Sequence, residues 1–122
     1  MSASNLDRIR ELTAPMWRKK LYAVQWDGHG ANLLPHLVAH LEYMIGLEKA
    51  GKIFASGPLD FGASSDGLTV FNVGSKEEAR QLALQDPFVI NGVRSFQIRE
   101  WMIMEGSFGI QVNYSDRSIE IK

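Results

Sequence analysis

The residues best equipped to move a proton in this chain are two histidines four residues apart, His36 and His40, and an acidic residue, Asp86, near the end of a helix-forming run. The run is Ser75-Lys76-Glu77-Glu78-Ala79-Arg80-Gln81-Leu82-Ala83-Leu84-Gln85-Asp86-Pro87-Phe88. Ser75 is placed to cap the first amides, Glu78 completes a capping box, and Pro87 stops the helix. Ala79, Leu82 and Ala83 form its apolar stripe, and Asp86 takes the next place on it. A carboxylate there opposes the helix dipole and points toward the buried side, so it needs a partner. His40 lies nearer the core stripe of its own helix than His36 does, which makes it the expected partner. A histidine at a helix margin acts near neutral pH as acid or base, and a buried carboxylate beside it fixes its tautomer. Proton transfer by His40 and Asp86 is one reading. The other is structural, with His40 a satisfied boundary histidine and Asp86 a turn residue bonded to nearby amides.

Further pocket candidates surround that pair. Gly57 and Pro58 end a strand, where the glycine permits close approach and the proline fixes the exit direction. Phe54 and Trp101 are sheet aromatics suited to a flat organic ligand, although such residues are more often core or interface. Phe88 and Arg94 follow Asp86 in a turn, and Arg94 suits a substrate carboxylate or phenolate. His36 completes the expected set. His36, His40 and one carboxylate would also make a facial metal triad, but Leu37 stands where a zinc-protease motif has its glutamate, so no metal is expected. Gly57, Gly62 and Gly67 form neither a dinucleotide fingerprint nor a phosphate loop, so no cofactor is expected. Ser56, Ser64 and Ser65 lack a nucleophile elbow.

The elements that must position these residues are legible from pattern. Leu6, Ile9 and Leu12 recur at helical spacing in an arm that Pro15 ends. Leu21 to Trp26 reads as a strand with its turn at Asp27-Gly28-His29-Gly30. Leu34 to Ala50 is the clearest helix, with Leu34, Leu37, Val38, Leu41, Met44 and Ile45 expected on the core side and Gly51 as its stop. Strands follow at Ile53–Ser56, Leu68–Val73 and Phe96–Met104, with a glycine- and serine-rich loop from Asp60 to Gly67. The tail holds two short strand-like pieces around a turn at Asn113 to Arg117. The order β-α-β-β-α-β predicts an α+β, ferredoxin-like fold with an antiparallel sheet. One sheet face is expected under the helices. The other, bearing Trp26 or Tyr22 with Phe54 and Trp101, lacks cover within the chain, which predicts a homodimer through that face.

The 122 residues suit one domain: an arm over 1–18, a core over 19–104 and a tail over 105–122. Apolar residues make up 45% and charged residues 22%, and the net charge of -1 gives no footprint for nucleic acid. The absence of cysteine removes disulfides and thiolate chemistry. No apolar run reaches membrane-spanning length and the start is polar, so the expectation is a cytoplasmic protein with no membrane partner.

His40-Leu41, Gly51, Gly57-Pro58-Leu59, Gly67, Ser75 with Glu77-Glu78-Ala79, Asp86-Pro87-Phe88, Gly92 and Trp101 recur in order and spacing over about Leu21 to Met104. In these the chain resembles the YCII-related family of the dimeric α+β barrel group. The resemblance implies an active-site pair at His40 and Asp86. It also implies a fold similar to muconolactone isomerases, and kinship with a branch containing a dehydrochlorinase of chlorinated hydroxyhydroquinone. The expected function is a cofactor-independent lyase or isomerase acting on a small aromatic or chloroaromatic-derived catabolite. The rival is a non-catalytic small-ligand or protein-interaction module.

Overall fold

The computed structural model describes residues 3–122; Met1 and Ser2, which begin the expected arm, lie outside the described residues. The chain runs α1 (Ala3–Thr13), β1 (Lys19–Asp27), α2 (Leu34–Lys49), β2 (Ile53–Pro58), β3 (Gly67–Phe71), α3 (Lys76–Leu84), α4 (Pro87–Ile90), β4 (Ser95–Ile103), β5 (Ile110–Asn113) and β6 (Ser118–Ile121). The described residues divide into two compact units, Lys20–Met102 and a second made of the segment up to Lys19 with Ile103–Lys122.

The larger unit is built on a four-stranded sheet in the order β2-β3-β1-β4. β3 runs antiparallel to both β1 and β2, with Val24 opposite Thr69 and Gly57 opposite Leu68. This is an α+β fold with the expected ferredoxin-like strand order, and the sheet does not close into a barrel. A register shift between Ile53 and Ala55 leaves Phe54 as the extra residue of a bulge.

Alternation along β1 sends Tyr22, Val24 and Trp26 into the core, where they meet Phe71, Ala79, Ala83 and Ile98. This corrects the expectation that Trp26 or Tyr22 marks the uncovered face. Both aromatics lie beneath helices, at 3% and 6% exposure, while Gln25, Gln97 and Arg99 occupy exposed positions of the opposite parity. Phe54 and Trp101 are about half exposed.

α3 begins as its cap predicts: the Ser75 hydroxyl accepts from the Glu78 amide at 3.1 Å. The Glu78 carboxylate reaches back to the Gly74 amide and meets Lys52, and those two contacts hold its pKa below the usual range. Ala79 and Ala83 are fully buried, small enough for this helix to sit close to its neighbours. The helix then closes earlier than expected, at a Gln85 cap. Asp86 adopts extended backbone, and its side chain caps α4 by accepting from Phe88 N at 3.0 Å. The carboxylate therefore stands before a helix N-terminus, where backbone amides favour it, rather than against an unfavourable helix end.

α2 matches its expected limits, with Gly51 beyond its cap at φ +76°, a left-handed conformation that glycine adopts without a Cβ penalty. Its packing differs from expectation. Leu34, Val38, Leu41 and Ile45 are 47–72% exposed, while Met44 is buried and Leu37, His40, Tyr43 and Leu47 are partly buried. The helix is rotated so that its His40–Tyr43–Leu47 flank packs inward. Polar partners make that rotation tolerable: Tyr43 donates to the Leu82 carbonyl at 2.7 Å, and His40 meets Asp86.

In the smaller unit, α1 carries exposed Leu6, Ile9 and Leu12 and surface pairs of Arg8 with Glu11 and Arg10 with Asp7. β5 and β6 form an antiparallel hairpin whose register sets Ile110 opposite Ile121 and Val112 opposite Ile119. Its turn occupies residues 114–117, as the tail pattern predicts.

Candidate functional site

A cavity of about 1260 Å³ opens between α2, β2, the loop after β2 and the start of α4. Its walls are mainly apolar, including Leu34, Leu37, Leu41, Met44 and Ile45 of α2. The part of the α2 stripe expected in the core is thus one wall of this opening. Its charged and titratable members are His40, Glu48, Asp66 and Arg94.

His40 projects from the middle of α2 onto the turn between α3 and α4. Its Nδ1 lies 2.9 Å from Asp86 Oδ1, and the two side chains are 12% and 1% exposed. The same Oδ1 accepts from the Phe88 amide, which fixes the carboxylate in place. Oδ2 of Asp86 has no hydrogen-bond partner among the described residues. The imidazole stacks on Phe88 with ring centroids 4.2 Å apart and planes inclined by 20°. A neutral imidazole that donates from Nδ1 to the carboxylate carries its lone pair on Nε2.

Arg94 reaches the same ring from the chain leaving α4, with Cζ 4.7 Å from the Phe88 centroid. Its Nε donates to the Ser65 carbonyl at 3.0 Å. Burial pulls its pKa below the ordinary value, and the negative charges of Asp86 and Asp66 oppose that pull. Tyr43, beside His40 on α2, has its phenol pushed up to about 12, first by burial and then by the Asp86 charge. On the sheet side of the cavity, Trp26 Nε1 donates to Thr69 Oγ1 at 2.8 Å, and Thr69 Oγ1 meets Ser56 Oγ at 2.7 Å.

The expected pocket residues divide on this geometry. His40, Phe54, Gly57, Pro58, Phe88 and Arg94 line the cavity, and Asp86 stands behind His40 in direct contact with it. His36 and Trp101 are not among its lining residues. His36 lies one turn before His40 and is partly buried. Among the described residues, no three His, Asp or Glu side chains gather as a metal ion would require, and no helix is long and apolar enough to cross a membrane.

The sequence pattern does not mark Trp26, Thr69 or the Ser65 carbonyl as parts of the pocket. Trp26 was legible as an aromatic on a strand, but its hydroxyl partner lies 43 residues away. The carbonyl carries no sequence signal at all. A third histidine also makes an unforeseen contact: His29 Nε2 lies 2.8 Å from Ser95 Oγ, with Nδ1 3.4 Å from Asp27 Oδ1. The His29 and Asp27 side chains are 64% and 60% exposed, so water competes for every bond in that chain of contacts.

A comparison with curated proteins found no match. The YCII-related domain matches residues 3–102, which include every lining residue of the cavity and Asp86 behind it. The chain belongs to the YCII-related family.

Proposed function

We propose that this protein is a cofactor-independent lyase or isomerase that moves a proton on a small, ring-derived organic substrate, of the aromatic or chloroaromatic catabolite class. The observation that carries this reading is the buried His40–Asp86 contact at 2.9 Å, at the wall of a large apolar cavity. Neutral His40 carries its proton on Nδ1, toward Asp86, and presents the Nε2 lone pair to a carbon-bound proton. As Nε2 takes that proton, the C–H electron pair forms a new double bond. In an elimination, chloride leaves with its own bonding pair and the imidazolium later releases its proton to water. In an isomerisation, the pair of the substrate's existing double bond is displaced and takes the proton back from the same imidazolium at a different carbon. Asp86 stabilises the imidazolium in both cases and does not itself take the proton. A histidine placed in this way contributes roughly 10²–10⁴-fold to a rate.

The test is turnover by His40→Gln in a screen of chlorinated and hydroxylated ring compounds, with circular dichroism as the check on folding. A folded variant with turnover reduced by at least roughly 10²-fold is the expected result. A folded variant as fast as the parent protein overturns the reading. The proposal further places the protein in the cytoplasm as a homodimer joined through the sheet face that bears Trp101.

A further inference from the structure

We propose that the cavity selects an organic carboxylate, with Arg94 as the clamp that grips the anion and turns the substrate's carbon skeleton toward His40. The proposal rests on the reading that this cavity is the substrate site.

Arg94 is only 9% exposed, yet no carboxylate among the described residues comes within salt-bridge distance of it. A guanidinium has five N–H donors. Here Nε uses one, on the Ser65 carbonyl, and the hydrogen bonds of the side chain end there. Its two terminal nitrogens remain as donors on a residue that lines the cavity. A buried cation without a bonded anion is costly, and the cost is offset when a ligand brings the opposite charge.

The neighbouring acids are already engaged. Asp86 Oδ1 serves His40 and the Phe88 amide, and Asp66 Oδ1 accepts from the Gly28 amide at 2.9 Å. Both act on Arg94 through space only. The fork is also held rigidly, by the Ser65 carbonyl at one nitrogen and by the Phe88 ring beneath Cζ. A planar guanidinium fixed in this way matches the two oxygens of a carboxylate in a paired contact.

The rest of the cavity defines the remainder of the ligand. Arg94 is the only lysine or arginine among its lining residues, and Glu48 and Asp66 supply negative charge. The single guanidinium matches one carboxylate, and the two acidic lining residues disfavour a phosphate dianion. The aliphatic wall from α2 favours an apolar skeleton. Phe88 supports both the imidazole, at 4.2 Å, and the guanidinium, at 4.7 Å, so an anion gripped by Arg94 lies within a small molecule's reach of His40.

Benzoate and its neutral isostere benzamide are the probes, titrated into the full-length protein by calorimetry. The parent protein should bind benzoate at least about tenfold more tightly than benzamide, the discrimination expected of charge-assisted hydrogen bonds. Arg94→Gln should lose that preference while keeping the weaker benzamide affinity. Arg94→Lys should keep part of it, and this variant together with the parent decides the matter if Arg94→Gln does not fold. His40→Gln should bind benzoate with its preference intact. Preserved binding there without turnover supports both readings; preserved binding with full turnover retains the clamp and removes the catalytic histidine. No saturable benzoate binding at millimolar concentration, equal affinities for the two probes, or a preference that survives Arg94→Gln overturns the proposal.

Discussion

Cutting Asp86 back to alanine probes the candidate site through stability, with no substrate required. The residue is fully buried, and its Oδ1 accepts two hydrogen bonds, from His40 Nδ1 at 2.9 Å and Phe88 N at 3.0 Å. Losing the cap on Phe88 costs about 1 kcal/mol. Leaving the His40 donor without an acceptor, on a side chain only 12% exposed, costs about 1–3 kcal/mol more. Against this, the truncation removes Oδ2, a buried oxygen with no partner, and relieves about 1 kcal/mol of desolvation. The net expectation for Asp86→Ala is a loss of about 2 kcal/mol, or roughly 5–10 °C in Tm for a chain of this size. Asp86→Asn keeps the shape and one carbonyl oxygen but weakens charge-assisted bonds to neutral ones, for a loss of about 1 kcal/mol. Urea unfolding at constant slope measures both. A double-mutant cycle with His40→Gln should show coupling of about 1 kcal/mol or more. An Asp86→Ala protein within about 0.5 kcal/mol of the parent, or a coupling near zero, would falsify the claim that this carboxylate ties α2 to the start of α4.

The rotation of α2 has its own test: Met44→Ala should cost about 2 kcal/mol or more in urea unfolding, and Val38→Ser less than about 0.5 kcal/mol, because Met44 is 7% and Val38 69% exposed. The reverse ranking would restore Val38 to the core. Tyr43 sets an alkaline limit. Its phenol is raised from 10.0 to about 12, so the neutral form is favoured in the fold; that contribution is complete below pH 10 and disappears as pH rises through 12. An absorbance titration should contain a step near pH 12 that Tyr43→Phe removes, and an unchanged titration in the variant refutes the assignment. For the proposed homodimer, sedimentation at micromolar concentration should give twice the chain mass, with Trp101→Glu shifting the protein toward monomer. A parent protein that sediments as a monomer removes that interface.

Local chemistry made most elements legible in the sequence. Ser75, Gly51 and the strand alternation place α3, the end of α2 and the sheet strands within a few residues of their observed limits. The packed side of α2 was not legible, for a specific reason. Hydropathy ranks Leu34, Val38, Leu41 and Ile45 above His40 and Tyr43, but it does not register that Asp86 and the Leu82 carbonyl await the two polar tips. The same limit applies to β1, where Leu21, Tyr22, Val24 and Trp26 give apolar character to both parities. Inside, the Trp26 indole meets the Thr69 hydroxyl, a partner distant in sequence.

The expected partnership of His40 and Asp86 rests on a premise that the structure corrects, and the correction explains why the contact is still legible. The sequence pattern presents Asp86 as a misfit at the end of α3, in need of a partner. It is instead well placed as the cap of α4, and only one of its oxygens is bonded. The information lies in three consecutive residues. Asp86 supplies the oxygen shared by the cap and His40; Pro87, at the first turn of α4, needs no amide partner there; and Phe88 supplies both the capped amide and the ring against which His40 and Arg94 rest. Because one short turn fixes a carboxylate, an amide and an aromatic face relative to one another, it defines the seats of both the imidazole and the guanidinium. The long-range part of the fold then has only to bring α2 and the Ser65 carbonyl to that turn.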